Sequence, residues 1–288
     1  MLTARNLETG SHGALIPEVI VASLSDNERD WLQKAFEASG GRFPSLDELW
    51  GLMDEQWKAC QCDPCVADSR LDQFYSHPVW LLNGLFIEQD IESQGYRKQF
   101  VEWIAEQSPC RVADFGGGFG SLARSLAGVL PHAHIEIVEP YAHPAAKVLA
   151  SEFRNINYVE KLTGNYDLII ATDVFEHVHD PIGLAAQTAT FLPEGGHYLM
   201  ANCFHPVILC HLPQLFHLSA GWDFSMRALG LSPGRSIQYG RVYTRQKNLD
   251  VERARHVGEC ARKIFSSVAW LPRGRAQVTK YLMHLLCK

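Results

Sequence analysis

One stretch constrains this chain more than any other: Val112-Ala113-Asp114-Phe115-Gly116-Gly117-Gly118-Phe119-Gly120-Ser121. The apolar run from Cys110 to Phe115 has the length and composition of a short buried strand. It breaks into glycines, and Leu122, Leu126 and Leu130 then recur at helical spacing. Strand, glycine turn and helix in that order open a nucleotide-binding α/β unit. Glycines at the turn permit tight or positive-φ backbone. They also let a ligand lie against the main chain at the helix N-terminus. Taken alone, the stretch also fits a glycine-rich turn that holds nothing.

Three further segments favour the ligand. His134-Ile-Glu-Ile-Val-Glu139 predicts a second strand, and its closing acid follows Gly120 by nineteen residues. A carboxylate at about that distance is placed to accept the hydroxyls of a ribose. Tyr166 to Thr172 predicts another buried strand, which runs into the polar loop Asp173-Val-Phe-Glu-His-Val-His-Asp-Pro181. Phe191-Leu-Pro-Glu-Gly-Gly-His-Tyr-Leu-Met-Ala-Asn-Cys203 is a turn followed by one more strand.

In this order the segments resemble the class I S-adenosylmethionine-dependent methyltransferases, over roughly residues 96–245. Asp114, Gly116, Gly118 and Gly120 match an Asp-x-Gly-x-Gly-x-Gly pattern, and Glu139 matches the acid after the second strand. Glu176-His177-Val178 with Asp180-Pro181 matches a loop common in members that act on small molecules. Leu192-Pro193-Glu194-Gly195-Gly196 matches a Leu-x-Pro-Gly-Gly turn with Glu194 inserted. A nicotinamide-binding Rossmann protein is the alternative, but G-x-G-x-x-G/A would need a small glycine-like residue where Ser121 stands.

The resemblance implies S-adenosylmethionine as cofactor, with S-adenosylhomocysteine as product. The turn of Gly116, Gly117, Gly118 and Gly120 is implied to receive its methionine part, Asp114 its ammonium and Glu139 its ribose. Tyr141 is implied to pack on the adenine, the region of Glu160 to meet the adenine edge, and Asp173 to line the methionine side. The implied reaction is methyl transfer to a small-molecule acceptor, with oxygen or nitrogen favoured over carbon. Sugars, glycan precursors and secondary metabolites all fit. A non-catalytic binding or scaffold protein of the same fold is the other reading, and it gives no reason to keep Asp114, the glycines and Glu139 together.

Strand candidates at 110–115, 134–139, 156–160, 166–172 and 197–202 alternate with helical stretches. That alternation predicts an α/β, Rossmann-like doubly wound sheet, mostly parallel, with ligand at the strand C-terminal ends. Asp114, Glu139, Glu160 and Asp173 all fall at or near such ends. Ser236 to Arg245 reads as one antiparallel edge strand. The expected organisation is an N-terminal helical lid and acceptor-pocket region over 1–95, a methyltransferase core over 96–248 and a basic helical extension over 249–288.

Before the core, residues 1–22 carry little pattern. A helix is predicted from Ser25-Asp26 to Gly40-Gly41, and Ser45-Leu-Asp-Glu48 is a capping box for the next. Leu46, Leu49, Trp50, Met53 and Trp57 share one face of it, which suits core packing or the cover of a pocket. Residues 69–108 read as helical, in a short piece around Leu71, Phe74 and Tyr75, a second starting at Pro78 and a last from Tyr96 to Glu106. Cys60, Cys62 and Cys65 lie within six residues. Three thiols with a histidine can hold zinc, but a structural site normally has a second cysteine pair farther on. The expectation is reduced thiols in a loop and no metal.

Three histidines, His177, His205 and His211, follow strand ends where an acceptor would come close, and each titrates near neutrality. They are the candidates for a general base if the acceptor is a hydroxyl. The chain carries −6 overall, but residues 241–288 hold eleven Lys/Arg against three Asp/Glu, so residues 1–240 carry −14. An acidic body argues against nucleic acid as the main partner. The basic segment 272–288 beside Tyr281-Leu-Met-His-Leu-Leu286 fits a solvated face, a phosphorylated acceptor or peripheral contact with an anionic membrane. There is no run of eighteen apolar residues, and Pro17 and Glu18 interrupt the apolar start; with eight cysteines this reads as a cytoplasmic, thiol-reducing setting. The edge strand and apolar N-terminal helices allow a homodimer.

Overall fold

The computed structural model describes residues 16–271 and 274–286. In chain order the elements are α1 Glu18–Ser23, α2 Asp26–Ala38, α3 Leu46–Ala59, α4 Ser69–Tyr75, α5 Pro78–Gln89 and α6 Ile91–Gln107. Then come β1 Arg111–Phe115, α7 Ser121–Val129, β2 His134–Val138, α8 Pro144–Ala150, β3 Ile156–Val159, β4 Leu168–Thr172, α9 Pro181–Ala189 and β5 His197–Ala201. The chain closes with α10 Leu218–Leu229, β6 Leu231–Ile237, β7 Gly240–Arg245, α11 Val251–Ser267 and α12 Arg275–Leu286. The seven-stranded sheet has the order β3-β2-β1-β4-β5-β7-β6. The parallel pairs include β1 with β4 and β4 with β5, while β7 runs antiparallel to β5. This is the Rossmann-like doubly wound fold with an antiparallel edge. No helix among the described residues is long and apolar enough to cross a membrane.

The chain forms two compact units. One takes the residues up to Ser108 together with Gly117–Glu160; the other takes Pro109–Gly116 and everything from Lys161 onward.

In the first unit, local signals start the helices and apolar stripes seat them. Ser25 and Ser45 each accept from the backbone N–H three residues on, and Glu28 and Glu48 reach back to complete both capping boxes. Leu49, Met53 and Trp57 of α3 are buried, whereas Leu46 is exposed. Trp57 meets the fully buried Phe74 of α4 edge-on at 5.2 Å, so this stripe is core at its C-terminal end. The helical stretch after Cys65 is three helices, as its three pieces predict, broken at Ser76-His77 and Asp90, where His77 and Asp90 cap α5 and α6.

Residues 1–15, read as patternless, lie outside the described residues. Residues 18–22 belong to that patternless stretch but form α1 together with Ser23, with Ile20 and Val21 buried, and α1 packs on α8. Six residues are too few for a helix to hold by propensity, so packing decides it.

The second unit buries Val112, Ala113, Ile169, Ile170 and Leu199 at 0% exposure in β1, β4 and β5. Burial of each of the valine, isoleucine and leucine side chains contributes about 1.5–3 kcal/mol. The single edge strand expected at 236–245 is a hairpin, β6 and β7 turning at Gln238-Tyr239. Its first arm contains Ser232-Pro233-Gly234, poor strand formers that hide it from propensity. Pro233 is tolerated because β6 lies at the sheet edge. Helix α10 begins at Leu218 and buries Trp222, Phe224, Met226 and Leu229. Helix α11 puts Val257, Cys260, Ala261 and Ile264 against Phe224 of α10 and Met283 of α12. In the tail, Pro272, Arg273, Cys287 and Lys288 lie outside the described residues.

Candidate functional site

The glycine turn is built from both ends. On the Gly116 side, φ is +71° and an added Cβ would stand 2.4 Å from Val174 Cγ2. Only glycine fits there. Gly118, at φ +50°, has open space where a Cβ would point, so its backbone is uncovered on that side. Gly120, at φ +77°, starts α7, and an added Cβ would stand 2.8 Å from Tyr158 Oη.

Within the first unit several side chains hold this turn. Tyr158 Oη donates to Gly118 O at 3.1 Å. Phe119 packs so closely on Gly84 of α5 that a Cβ there would meet Phe119 Cβ at 2.6 Å. Glu88, also on α5, accepts from Ser121 Oγ and pairs with Arg124. Glu88 did not stand out in the sequence, since nothing local links it to a turn thirty-three residues away.

Glu139 follows the last residue of β2. One carboxylate oxygen accepts from the Gly118 N–H at 3.1 Å and the other from the Tyr141 N–H at 3.0 Å. Burial raises its pKa, and the two backbone donors oppose that rise. Tyr141 Oη donates to Asp72 of α4 at 2.5 Å, and its ring stacks on Tyr75 at 5.7 Å. Burial, then Asp72, pushes the phenol up to about 12. Asp72 thus ties the helical N-terminal region to the segment just after the acid. Glu160 follows β3 and is exposed.

In the second unit Asp114 is buried, 1% exposed, in β1. Asp173, just past β4, is exposed, adopts φ +55° and accepts from Tyr239 Oη at 2.9 Å. It is not a helix cap: the short helical turn Phe175–His177 has no side-chain cap. That turn is anchored by Phe175, fully buried and 5.0 Å from the Trp222 ring. It carries Glu176 into the interior at 1% exposure. Glu176 Oε1 accepts from the Cys203 N–H at 2.7 Å, while the buried Oε2 has no hydrogen-bond donor. Burial, then the nearby charge of Asp173, pushes the Glu176 carboxyl up to about 8. Burial also pushes the Cys203 thiol up to about 11.

Two of the three candidate histidines come together. The His177 and His211 rings meet edge-on at 4.9 Å. His177 Nδ1 faces Cys210 O at 3.1 Å, and His211 Nδ1 faces His205 O at 3.0 Å. A carbonyl only accepts, so each Nδ1 carries the proton and each Nε2 the lone pair. Burial and His211 hold the His177 pKa down to about 3. A ring this hard to protonate is a weak proton acceptor. His205 is exposed and contributes its carbonyl rather than its ring to this cluster. Asp180 accepts from the Gly183 N–H at 2.9 Å and pairs with Arg255 at 2.6 Å. Asp180 and Pro181 therefore start α9 and tie it to α11.

The three clustered thiols make no metal-ligating group among the described residues. Cys60 accepts from Gln56, Cys62 faces the Arg70 carbonyl at 3.5 Å and Cys65 is exposed.

Residues 88–230 match a family model described as a methyltransferase domain. No curated protein matches the chain. Among solved structures, an O-methyltransferase family protein from Burkholderia thailandensis aligns with a TM-score of 0.51 at 15% identity, over 69% of this chain and 70% of that one. Human N-acetylserotonin methyltransferase, in complex with S-adenosylmethionine, aligns at 0.46 and 15% identity over 74% and 69% of the two chains. PigF with S-adenosylhomocysteine aligns at 0.42 and 18% identity over 69% of this chain, which spans 59% of that one. The strand order, the glycine turn with its following acid and the matched domain agree: residues 88–230 carry a methyltransferase domain of the class I S-adenosylmethionine-dependent type.

Proposed function

We propose that this chain transfers the methyl group of S-adenosylmethionine to a hydroxyl or amine of a small molecule. The observation that carries the reading is the carboxylate of Glu139 fixed to the Gly118 N–H beside an uncovered glycine turn. The residues present fit the cofactor. Gly118 leaves room for a ligand against the backbone, and Gly116 admits no side chain. Asp114 offers a buried carboxylate for an ammonium.

The cofactor supplies a methyl carbon already activated by a sulfonium, so the protein's work is chiefly positioning. Glu139 accepts the ribose hydroxyls, keeping its backbone donors as orienters. Asp114 holds the ammonium by charge. Tyr141 borders the adenine with its ring, and its hydroxyl stays on Asp72. Asp173 lines the methionine side, oriented by Tyr239. Small-molecule chemistry is favoured by the Glu176-His177-Val178 loop, which in this family accompanies small acceptors. A second reading concerns location. Tyr281, Leu285 and Leu286 are exposed on α12 near Lys280, a pattern suited to peripheral contact with an anionic bilayer.

The test is calorimetric titration of S-adenosylmethionine and S-adenosylhomocysteine into the wild type and Glu139→Ala, followed by acceptor screening with labelled donor. Micromolar binding that weakens about tenfold or more in the variant supports the reading. A wild type that binds neither compound overturns it.

A further inference from the structure

We propose that Glu176, His177 and His211 bind a divalent first-row transition cation, zinc in the first instance, and that this cation receives the hydroxyl of the methyl acceptor.

One ligand atom from each of the three residues lies within 4.8 Å of those of the other two. Metal–nitrogen and metal–oxygen bonds of about 2.0–2.2 Å place tetrahedral ligand atoms about 3.3–3.6 Å apart on one ion. The three side chains draw together by up to about 1.5 Å to share it. Their tautomers are already those of ligands. Both Nδ1 atoms donate to backbone carbonyls, of Cys210 and His205, which leaves Nε2 as the lone-pair atom on each ring. A metal-binding imidazole normally has its other N–H held in this way. The third ligand is oriented as well, with Oε1 of Glu176 held by the Cys203 N–H.

The independent observation is Oε2 of Glu176. It is buried with no hydrogen-bond donor, on a side chain exposed by only 1%. A buried carboxylate oxygen without a donor is costly, and a cation there removes the cost. Asp173, three residues earlier, adds a second negative charge nearby. The local sequence explains why the pair Glu176-His177 points inward. Phe175 anchors one side of the turn, and the Leu212 N–H donates to Glu176 O at 3.0 Å from the segment that carries His211.

Two neutral imidazoles and one carboxylate make the donor set of zinc sites that leave a position open, and of related iron sites. An oxygen ligand in the open position is acidified. An acceptor hydroxyl held there gives its proton to solvent. Its oxygen then forms the new bond to the methyl carbon as the carbon–sulfur bond of S-adenosylmethionine breaks, and the sulfur keeps that electron pair. This use of the cation rests on the methyl-transfer reading, whereas the cation site rests on its own geometry.

The test uses the full chain stripped with a chelator and titrated with Zn2+ by calorimetry and with Co2+ by absorption. The expected result is one equivalent of Zn2+, and a Co2+ spectrum with ligand-field bands but no thiolate charge-transfer band. Glu176→Gln, His177→Gln and His211→Asn should each weaken binding at least about tenfold. Replacing Cys60, Cys62 and Cys65 together by serine should leave binding unchanged. No cation bound by the wild type, binding unaffected by the three site variants, or binding lost with the thiols would overturn the proposal. If the site variants fail to fold, the wild-type Co2+ spectrum and the cysteine replacement still decide it. Binding of S-adenosylmethionine by the same stripped protein is scored separately, so failure of the cation site is distinguished from failure of the methyl-transfer reading.

Discussion

The Gly118 N–H donates to a carboxylate oxygen of Glu139 across 3.1 Å, joining the glycine turn to the acid that closes β2. The same carboxylate takes the Tyr141 N–H at 3.0 Å. Glu139→Ala removes both bonds and the proposed ribose acceptor. S-adenosylmethionine binding should weaken about tenfold or more, about 1.4 kcal/mol. A variant that binds as tightly as the wild type in calorimetry would remove Glu139 from the binding set.

Gly116→Ala should damage both stability and cofactor binding. Its Cβ would overlap Val174 Cγ2, and φ +71° is strained for alanine. The backbone strain alone is about 1 kcal/mol or more. Adding Val174→Ala should relieve the overlap but not the strain, so the double variant should recover only part of the lost urea midpoint. Full recovery would show that the positive φ costs nothing.

Asp180→Ala should lower stability and leave S-adenosylmethionine affinity unchanged. Its carboxylate caps α9 through the Gly183 N–H and pairs with Arg255. Loss of such a cap costs about 1 kcal/mol, read as a lower Tm. A fall in cofactor affinity at unchanged Tm would contradict this structural role.

Acid should weaken the first unit through Glu28. Burial pushes its pKa up, but the Ser25 hydroxyl and N–H and His143 outweigh that, so the net shift is below the ordinary 4.5. A depressed carboxylate contributes stability above its unfolded pKa and loses it as pH falls through the folded value. Wild-type Tm should therefore drop more steeply below about pH 4.5 than the Tm of Glu28→Gln. Parallel curves would remove Glu28 from the acid response.

The C-terminal helix should prove part of the core on one side and a contact surface on the other. Met283 is fully buried against Phe224 and Ala261, and Met283→Ala should cost about 2–5 kcal/mol. Replacing the exposed Tyr281, Leu285 and Leu286 by serine should leave Tm unchanged and reduce sedimentation with anionic phospholipid vesicles. Vesicle binding equal to that of the wild type would remove the membrane contact.

The amino-acid sequence by itself determined the elements whose signals are local. The glycines that permit positive φ, the leucines at helical spacing in α7 and the two Ser-x-x-Glu capping boxes act within a few residues. They predict the strand–turn–helix, the α/β class and the acids at the strand ends. Short elements held by partners far along the chain escaped: α1, whose stability comes from packing on α8, and β6, whose Ser-Pro-Gly is poor strand material held by pairing with β7 across a register shift between Pro233 and Ser236.

The tertiary structure alone decided which side chains meet. The sequence marked His177, His205 and His211 equally. The fold brings two rings together with a buried Glu176 and leaves the third outside, because the 203–212 segment returns to the Phe175–His177 turn. It also placed Asp72 on Tyr141 and Glu88 on the glycine turn. Spacing along the chain specifies local conformation. Buried charge and the protonated nitrogen of each imidazole are set by neighbours tens of residues away, which only packing brings within hydrogen-bond reach.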